Sequence, residues 1–276
     1  MNERKICFTI DVEPDYGGLL KRDLYLGLTH LPKLESIVSK YGIRLTAFVT
    51  GKTLDDNDTV ISTLQSMNAE IEQHSYKHQV GHAATAEDII KGVETHRRVL
   101  GRDPLGYRSP QGIITKESIE VLQNLGILFD SSIFPTYFPN RFNRWDFPNS
   151  PFRIKDSLLV EIPFSVIPAI KIPIGLSYMQ LLGIQFFKSM LRLLGCPNVI
   201  IFDFHPYELG KVRSYSELPI VPKIGYLRSQ QLYSDPLEVF ESFIRFILSW
   251  GYKPIFMYQL YEEIRENAPI WNWKGI

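Results

Sequence analysis

Three carboxylates follow the first apolar run of the chain. Residues 6–10 are mostly β-branched or aromatic, which is typical of a buried strand, and Asp11, Glu13 and Asp15 come where this run ends. Ligands of α/β folds bind at the carboxyl ends of the strands. Carboxylates this close repel one another, so they need a cation or raised pKa values to be stable. The stretch therefore predicts a site that holds positive charge.

A pair of histidines offers ligands for such a cation. His74 and His78 have the spacing H-x-x-x-H, which brings two imidazoles to one face of a helix or of a turn that leaves a strand. Two histidines and one carboxylate form a known Zn²⁺ ligand set in which water completes the coordination. The spacing is equally compatible with two surface histidines, because the chain has 6 histidines.

Further polar residues fall at the ends of other predicted strands. Arg108 precedes Pro110, which fixes the following turn, and His205 follows the apolar run 199–204. Asp130 ends the run 127–130 and is also compatible with an Asx turn, while His205 alone is equally compatible with a core histidine. Because parallel strands end at one edge of a sheet, these side chains are expected to meet.

The elements that would position these residues alternate between strand and helix. Repeated βα units without a sequence repeat predict a mainly parallel sheet, either a barrel or a doubly wound sheet. No Pro/Gly-rich linker divides the chain, so we predict one catalytic domain over 1–276 with an inserted apolar cap segment at about 166–197. Irregular stretches are predicted at 134–152 and 206–234. The predicted strands lie at 6–10, 44–50, 70–73, 105–108, 127–130, 157–163, 199–204 and 253–257. The main predicted helices lie at 28–41, 85–101, 115–126, 177–194 and 235–250.

Composition narrows the class of protein. The chain has 276 residues, 45% of them hydrophobic, and 30 basic residues balance 30 acidic ones, which argues against a general nucleic-acid-binding protein. Cys7 and Cys196 are predicted to be reduced thiols. The chain shows no signal-peptide pattern, so a cytoplasmic protein is predicted. The apolar segment 167–194 is either buried as a cap or in peripheral contact with the inner face of a membrane.

The ordered motifs resemble the polysaccharide deacetylase family, also called the NodB-homology or carbohydrate esterase 4 group. The resemblance covers the chain from residue 6 to about residue 257 and implies a distorted, partly closed (β/α) barrel with its site at the carboxyl ends of the strands. The motifs are Thr9-Ile10-Asp11, His74-x-x-x-His78, Arg108-x-Pro110, Asp130-Ser131-Ser132 and Asp203-Phe204-His205-Pro206.

This resemblance implies a role for each matching residue. Asp11 corresponds to the general base, His205 to the general acid, and Arg108 to the residue that orients the base. Asp130 corresponds to the residue that borders the acid histidine. His74 and His78 correspond to metal ligands. The predicted substrate-binding residues are Pro110, Gln111 and Glu161.

One position departs from the family pattern. Many members have two adjacent aspartates, the second of which binds the metal, but here that position is Val12. Glu13 is the natural replacement, because alternate residues of a strand share a face and Asp11 and Glu13 would point the same way. Asp15 is the second candidate, and loss of the metal is the third. The implied metal is Zn²⁺, with Co²⁺, Ni²⁺ or Mn²⁺ as alternatives.

The implied reaction is metal-assisted removal of an acetyl group from an N-acetylated amino sugar during glycan or polysaccharide biosynthesis. The sugar could be nucleotide-linked, lipid-linked or polymeric. Two alternatives stay open at this point. One is hydrolysis of another C–N bond, in a sugar formamide or ureide, with or without metal. The other is a catalytically inactive sugar-binding protein of the same fold.

Overall fold

The computed structural model describes residues 3–139, 141–210 and 235–273, together with residues 218, 223 and 227. Most of the predicted irregular stretch 206–234, from position 211 onward, therefore lies outside the described residues. The strands are β1 (Lys5–Val12), β2 (Leu45–Val49), β3 (Glu70–Gln73), β4 (Gly106–Tyr107), β5 (Phe129–Asp130), β6 (Tyr137–Phe138), β7 (Phe142–Asn143), β8 (Phe152–Ile154), β9 (Val160–Glu161), β10 (Val199–Phe204), β11 (Lys253–Pro254) and β12 (Ile270–Trp271). The α-helices are α1 (Leu31–Tyr41), α2 (Gly51–Asp56), α3 (Asp58–Ser66), α4 (Ala86–Leu100), α5 (Lys116–Asn124), α6 (Leu176–Leu182), α7 (Ile184–Leu194), α8 (Pro236–Ser249) and α9 (Met257–Ile264).

Most of the described strands belong to one large sheet. Its strand order is β10-β1-β2-β3-β4-β5-β9-β8-β12, and β11 pairs with the beginning of β1. All of these pairings are parallel except that of β8 with β9. The predicted loop at 134–152 also contains the short antiparallel hairpin β6–β7, which the sequence did not indicate. The mainly parallel α/β architecture is confirmed.

Ser165 links β9 to β10 and so brings together the two sides of the run β10-β1-β2-β3-β4-β5-β9. This residue follows β9, and its backbone N–H donates to the carbonyl of Ile201 in β10 at 3.4 Å. In return the N–H of Ile201 donates to Oγ of Ser165 at 2.8 Å. Within the described residues no strand ladder joins β9 to β10. The result is the distorted, partly closed barrel that was predicted.

Helices on the outside of the sheet are set by local signals. Thr85 caps α4 by accepting the N–H of Asp88, and Gly101 ends that helix with a φ of 70°. Asp235 caps α8 by accepting the N–H of Leu237. The apolar face of α8 then packs on β10, with the rings of Phe202 and Phe243 stacked 4.5 Å apart. This packing holds β1 and β10 in the middle of the core.

The apolar segment at 166–197 contains two helices instead of the single predicted helix at 177–194. Gly183 has a φ of 96°, a value outside the helical range, and separates α6 from α7. Met179 and Phe187 belong to the same buried cluster as β1, β10 and α8, whereas Leu193 is 74% exposed. None of the helices in the described part of the chain has the length and apolar character needed to cross a membrane.

Phe187→Ala is expected to lower the free energy of unfolding by about 3–5 kcal/mol, because a fully buried ring would leave a cavity. Leu193→Ala, on the exposed face of the same helix, should change it by less than about 0.5 kcal/mol. Urea denaturation followed by circular dichroism measures both. Equal small losses would mean that α7 does not form part of the core in solution.

Candidate metal and acid–base site

A cavity of about 220 Å³ opens at the carboxyl ends of the central strands. Strand β1 delivers Asp11, and Glu13 follows directly after it. Strands β3, β4 and β10 end immediately before His74, Arg108 and His205. All five side chains line the cavity, so the parallel register brings together residues that are up to 194 positions apart in sequence.

Glu13, His74 and His78 form a group that could hold a metal ion, each offering one ligand atom within 4.8 Å of the others. Oε2 of Glu13 lies 3.0 Å from Nε2 of His74 and 3.3 Å from Nε2 of His78. Strand alternation explains why Glu13 is available. Val12 is fully buried in the hydrophobic core, while Asp11 and Glu13 face the cavity.

The hydrogen bonds and charges around this group suit the binding of a cation. Nδ1 of His74 lies 2.7 Å from the carbonyl oxygen of Arg108, which can only accept, so Nδ1 carries the proton. Burial lowers the pKa of His74, but Asp11 and Glu13 outweigh it and raise that pKa, so a cation would bind Nε2 in exchange for the proton shared with Glu13. Burial tends to raise the pKa of Glu13, but His78 and His74 outweigh it and lower the pKa to about 2. Burial also lowers the pKa of His78, which favours the neutral imidazole that binds metals. The residues fit a divalent cation.

Asp15, the second candidate ligand, is engaged elsewhere. Its two carboxylate oxygens accept the backbone N–H groups of Leu26 and Gly27, each at 2.9 Å. Burial raises the pKa of Asp15 to about 6 despite these hydrogen bonds. Asp15 therefore fixes the 3₁₀ turn at Leu26–His30 and does not belong to the ligand group.

The loop after Glu13 leaves room for the cation by using glycine. Gly17 has a φ of 60°, and a Cβ atom on it would lie 3.1 Å from Cε1 of His78 and 3.2 Å from Oε1 of Glu13. A side chain at this position would press on two of the ligands. The ligand group therefore requires a residue without a side chain at position 17.

Gly17→Ala is therefore expected to weaken metal binding by about 10-fold or more, because the methyl group displaces His78 and Glu13. Gly42→Ala is the matched control, since Gly42 also has a φ of 60° but nothing lies within 4 Å of the added Cβ. Metal content is measured by mass spectrometry after dialysis against a range of free metal. If both variants keep the wild-type affinity, the loop does not shape the site.

Arg108 connects the carboxylates of the cavity. Its Nη1 donates to Oδ1 of Asp11 and to Oδ1 of Asp203, both at 2.7 Å. The guanidinium lies over the rings of Phe48 and Phe164, at 4.2 and 4.3 Å from the ring centres. Ser131 accepts hydrogen bonds from Nε and Nη2 of the same group, at 3.1 Å each. Arg108 is thus rigidly held and orients Asp11.

Asp203 is a site residue that sequence reasoning missed. Burial, reinforced by the charge of Asp11, raises its pKa to about 8 although Arg108 opposes the shift. Its carboxylate lines the cavity and shares Arg108 with Asp11. Its position two residues before His205 could have identified Asp203 as a site residue, since alternate residues along β10 share a face.

His205 is held by a neighbour in sequence. Nδ1 of His205 lies 3.1 Å from Oε1 of Glu208, and its Nε2 lies 3.6 Å from Oε1 of Glu13. Burial lowers the pKa of His205, but the carboxylates of Glu208, Asp203 and Glu13 together raise it well above its ordinary value. A protonated imidazole therefore faces the ligand group.

Asp130 does not occupy the place predicted for it beside His205, where Glu208 lies instead. Asp130 accepts a hydrogen bond from Ser132 at 2.6 Å and pairs in register with Glu161 of β9. Burial raises the pKa of both carboxyl groups. Of the three predicted substrate-binding residues, Gln111 lines the cavity, whereas Pro110 and Glu161 are not among its described lining residues.

Part of the chain is similar in sequence to known proteins. Residues 1–129 match the family model described as polysaccharide deacetylase. A peptidoglycan deacetylase of Helicobacter pylori is 25% identical over 187 residues, covering 57% of this chain and 64% of the relative. The resemblance of this chain to the polysaccharide deacetylase family is confirmed. It spans less than two thirds of the length of this curated relative.

Solved structures of the polysaccharide deacetylase family share the fold. A chain from Pseudomonas aeruginosa PAO1 assigned as a polysaccharide deacetylase superimposes with a TM-score of 0.64 at 13% identity, covering 96% of this chain and 93% of that one. A second, from Mycobacterium smegmatis, gives 0.62 at 18% identity with 97% and 93% covered. These similarities establish the barrel-like architecture over nearly the whole chain.

Proposed function

We propose that the protein is a metal-dependent deacetylase that hydrolyses the acetamido group of an N-acetylated amino sugar. The observation that carries the proposal is the convergence of Glu13, His74 and His78 beside two acid–base groups. Asp11 is bound to Arg108 on one side of this group, and His205 is bound to Glu208 on the other. An inactive protein would have no need for an intact ligand set flanked in this way.

Zn²⁺ is the metal that two histidines and one carboxylate favour, and when bound there it would act as a Lewis acid toward the acetyl carbonyl. Co²⁺, Ni²⁺ and Mn²⁺ are the alternatives for the same donors. Glu13, His74 and His78 would hold the ion. Gly17 leaves the space that the ion needs.

Asp11 is the general base of the proposed reaction. One of its oxygens is held by Arg108, while the other, Oδ2, lies 3.9 Å from Nε2 of His74 and so points toward the ligand group. In this position Oδ2 can take the proton of a water molecule as its oxygen bonds to the acetyl carbon. Gln111, directly after Pro110, lines the cavity, and its backbone N–H is the candidate donor to the oxyanion, since the N–H of Gly112 already donates to the carbonyl of Ser109.

His205 is the general acid. Breaking the C–N bond releases acetate and leaves an electron pair on the sugar nitrogen, which needs a proton to depart as an amine. Protonated His205 supplies it, and Glu208 stabilises the imidazolium. The cycle closes when Asp11 loses its proton to solvent and His205 takes one up.

Sugar binding is supported by the aromatic lining of the cavity, since sugar rings pack their apolar faces on aromatic side chains. The lining aromatic residues are Tyr16, Phe134, Phe138, Phe164, Tyr178 and Tyr207. The peptidoglycan deacetylase relative supports a glycan substrate. We place the activity in glycan or polysaccharide biosynthesis.

A substrate screen tests the proposed reaction. The metal-loaded protein is incubated with N-acetyl, N-formyl and ureido derivatives of glucosamine and its oligomers, and the amine product is detected by mass spectrometry. Acetate and free amine from the N-acetyl sugars are the expected products. Turnover of the formamide or ureide alone would replace the deacetylase proposal, and no turnover of any of them would contradict an enzymatic function.

A further inference from the structure

Arg141 is, with Arg108, one of two arginines among the described residues that line the cavity. Its side chain is exposed and lines the cavity together with the proposed catalytic residues. Other exposed arginines, such as Arg97 and Arg98, pair with carboxylates at the protein surface. Within the described part of the chain no carboxylate forms an ion pair with Arg141. Its charge is therefore available to a ligand in the cavity.

A continuous row of aromatic rings fixes Arg141 relative to the catalytic centre. Phe164 covers the guanidinium of Arg108 and stacks on Phe134, with ring centres 3.7 Å apart. Phe134 meets Phe138 edge-to-face at 5.9 Å, and Arg141 lies 6.0 Å from the centre of the Phe138 ring. The antiparallel pairing of β6 with β7 holds Phe138 and Arg141 on one hairpin. The two arginines thus mark the two ends of an aromatic wall.

The two ends of this wall would meet different parts of a substrate. The acetamido group must lie at the inner end, beside Asp11 and the ligand group, to react. Other substituents of the same sugar then extend toward the outer end, away from the ligand group. Arg141 is the cation present there, and a guanidinium binds phosphate or carboxylate oxygens through two parallel hydrogen bonds.

We propose that Arg141 binds an anionic substituent, a phosphate or a carboxylate, of the N-acetylated amino sugar that occupies the cavity. The inference rests on the proposed function, because that function places the acetamido group at the inner end. It narrows the substrate class from any N-acetylated sugar to one with a negative charge near the reacting residue. Arg141 is then a specificity residue and takes no part in the bond-breaking step.

The test compares three probes that differ in charge: the methyl glycoside of N-acetylglucosamine, N-acetylglucosamine 1-phosphate and N-acetylmuramic acid. Affinities are measured by calorimetry in full-length Asp11→Asn protein, so that turnover does not interfere. Arg141→Gln is introduced into this parent. Arg192→Gln is the matched control, because Arg192 is also exposed and also lies over a phenylalanine, at 5.1 Å from Phe246, but does not line the cavity.

The parent protein is expected to bind at least one anionic sugar about 10- to 100-fold more tightly than the methyl glycoside. Arg141→Gln should abolish this preference, and Arg192→Gln should retain it. A preference for the 1-phosphate identifies a glycosyl phosphate, whereas one for N-acetylmuramic acid identifies a carboxylate. In the otherwise wild-type protein, Arg141→Gln should lower the ratio of kcat/KM for the preferred anionic sugar to that for the neutral sugar by at least 10-fold.

Equal affinity of the parent for neutral and anionic sugars would overturn the inference. Equal losses in Arg141→Gln and Arg192→Gln would also overturn it. If the wild type releases no acetate but its preference for the anionic sugar disappears in Arg141→Gln, the proposed function fails and the anion site stands. Binding of none of the probes would reject the site.

Discussion

Asp11→Asn is expected to lower kcat for acetate release by about 100-fold or more, the usual cost of losing a general base. The amide oxygen can still accept the hydrogen bond from Arg108, so the geometry of the site is retained. The amide cannot take a proton from water, however. Steady-state acetate release, with metal content measured on the same samples, separates loss of the base from loss of the metal.

Asp203→Asn is the matched control for this experiment. Asp203 accepts a hydrogen bond from the same nitrogen of Arg108 at the same distance of 2.7 Å, but it is not adjacent to the ligand group. Its loss should lower kcat by about tenfold or less. Near-normal turnover in Asp11→Asn together with a 100-fold loss in Asp203→Asn would transfer the role of base to Asp203.

Glu13→Ala is expected to weaken metal binding by at least about 100-fold, and to lower acetate release in proportion to the metal lost. The substitution removes the carboxylate that lies within 3.3 Å of both histidine ligand atoms. The two remaining imidazoles would be left without the negative charge that offsets a divalent cation. Equilibrium dialysis with Zn²⁺ gives the affinity, and thermal unfolding confirms that the variant is folded.

Asp15→Ala distinguishes between Glu13 and Asp15, the two carboxylates that the sequence suggested as the third metal ligand. This variant should keep the wild-type metal affinity, because Asp15 contacts backbone N–H groups and not the ligand group. It should lower the unfolding temperature by a few degrees through loss of two buried hydrogen bonds. Retention of metal in Glu13→Ala and its loss in Asp15→Ala would reverse the assignment.

The sequence predicted those parts of the fold and site that depend on local pattern. Strands β3 and β10 have the predicted bounds, because both are short runs that end at a histidine. Glu13 could be chosen over Val12 because strand alternation follows from chain geometry alone. Gln111, predicted as a substrate-binding residue, lines the cavity.

Features that depend on tertiary contact could not be predicted. Asp130 and Glu161 face each other because β5 and β9 are neighbours in the sheet, and the sequence does not specify this pairing. The role expected of Asp130 belongs to Glu208, which contacts His205 within one 3₁₀ turn. The break at Gly183 and the hairpin that carries Arg141 were hidden within segments that look continuously helical or irregular.

Titration of the metal-free protein with Zn²⁺ tests most directly whether Glu13, His74 and His78 form a catalytic metal site. Acetate release from an N-acetylated glucosamine oligomer is recorded after each addition, in wild type and in Glu13→Ala. The wild-type rate should rise from near zero and saturate at one equivalent of metal, while Glu13→Ala should stay near zero over the same range. A full rate in the metal-free wild type, or an equal response of Glu13→Ala, would contradict this assignment.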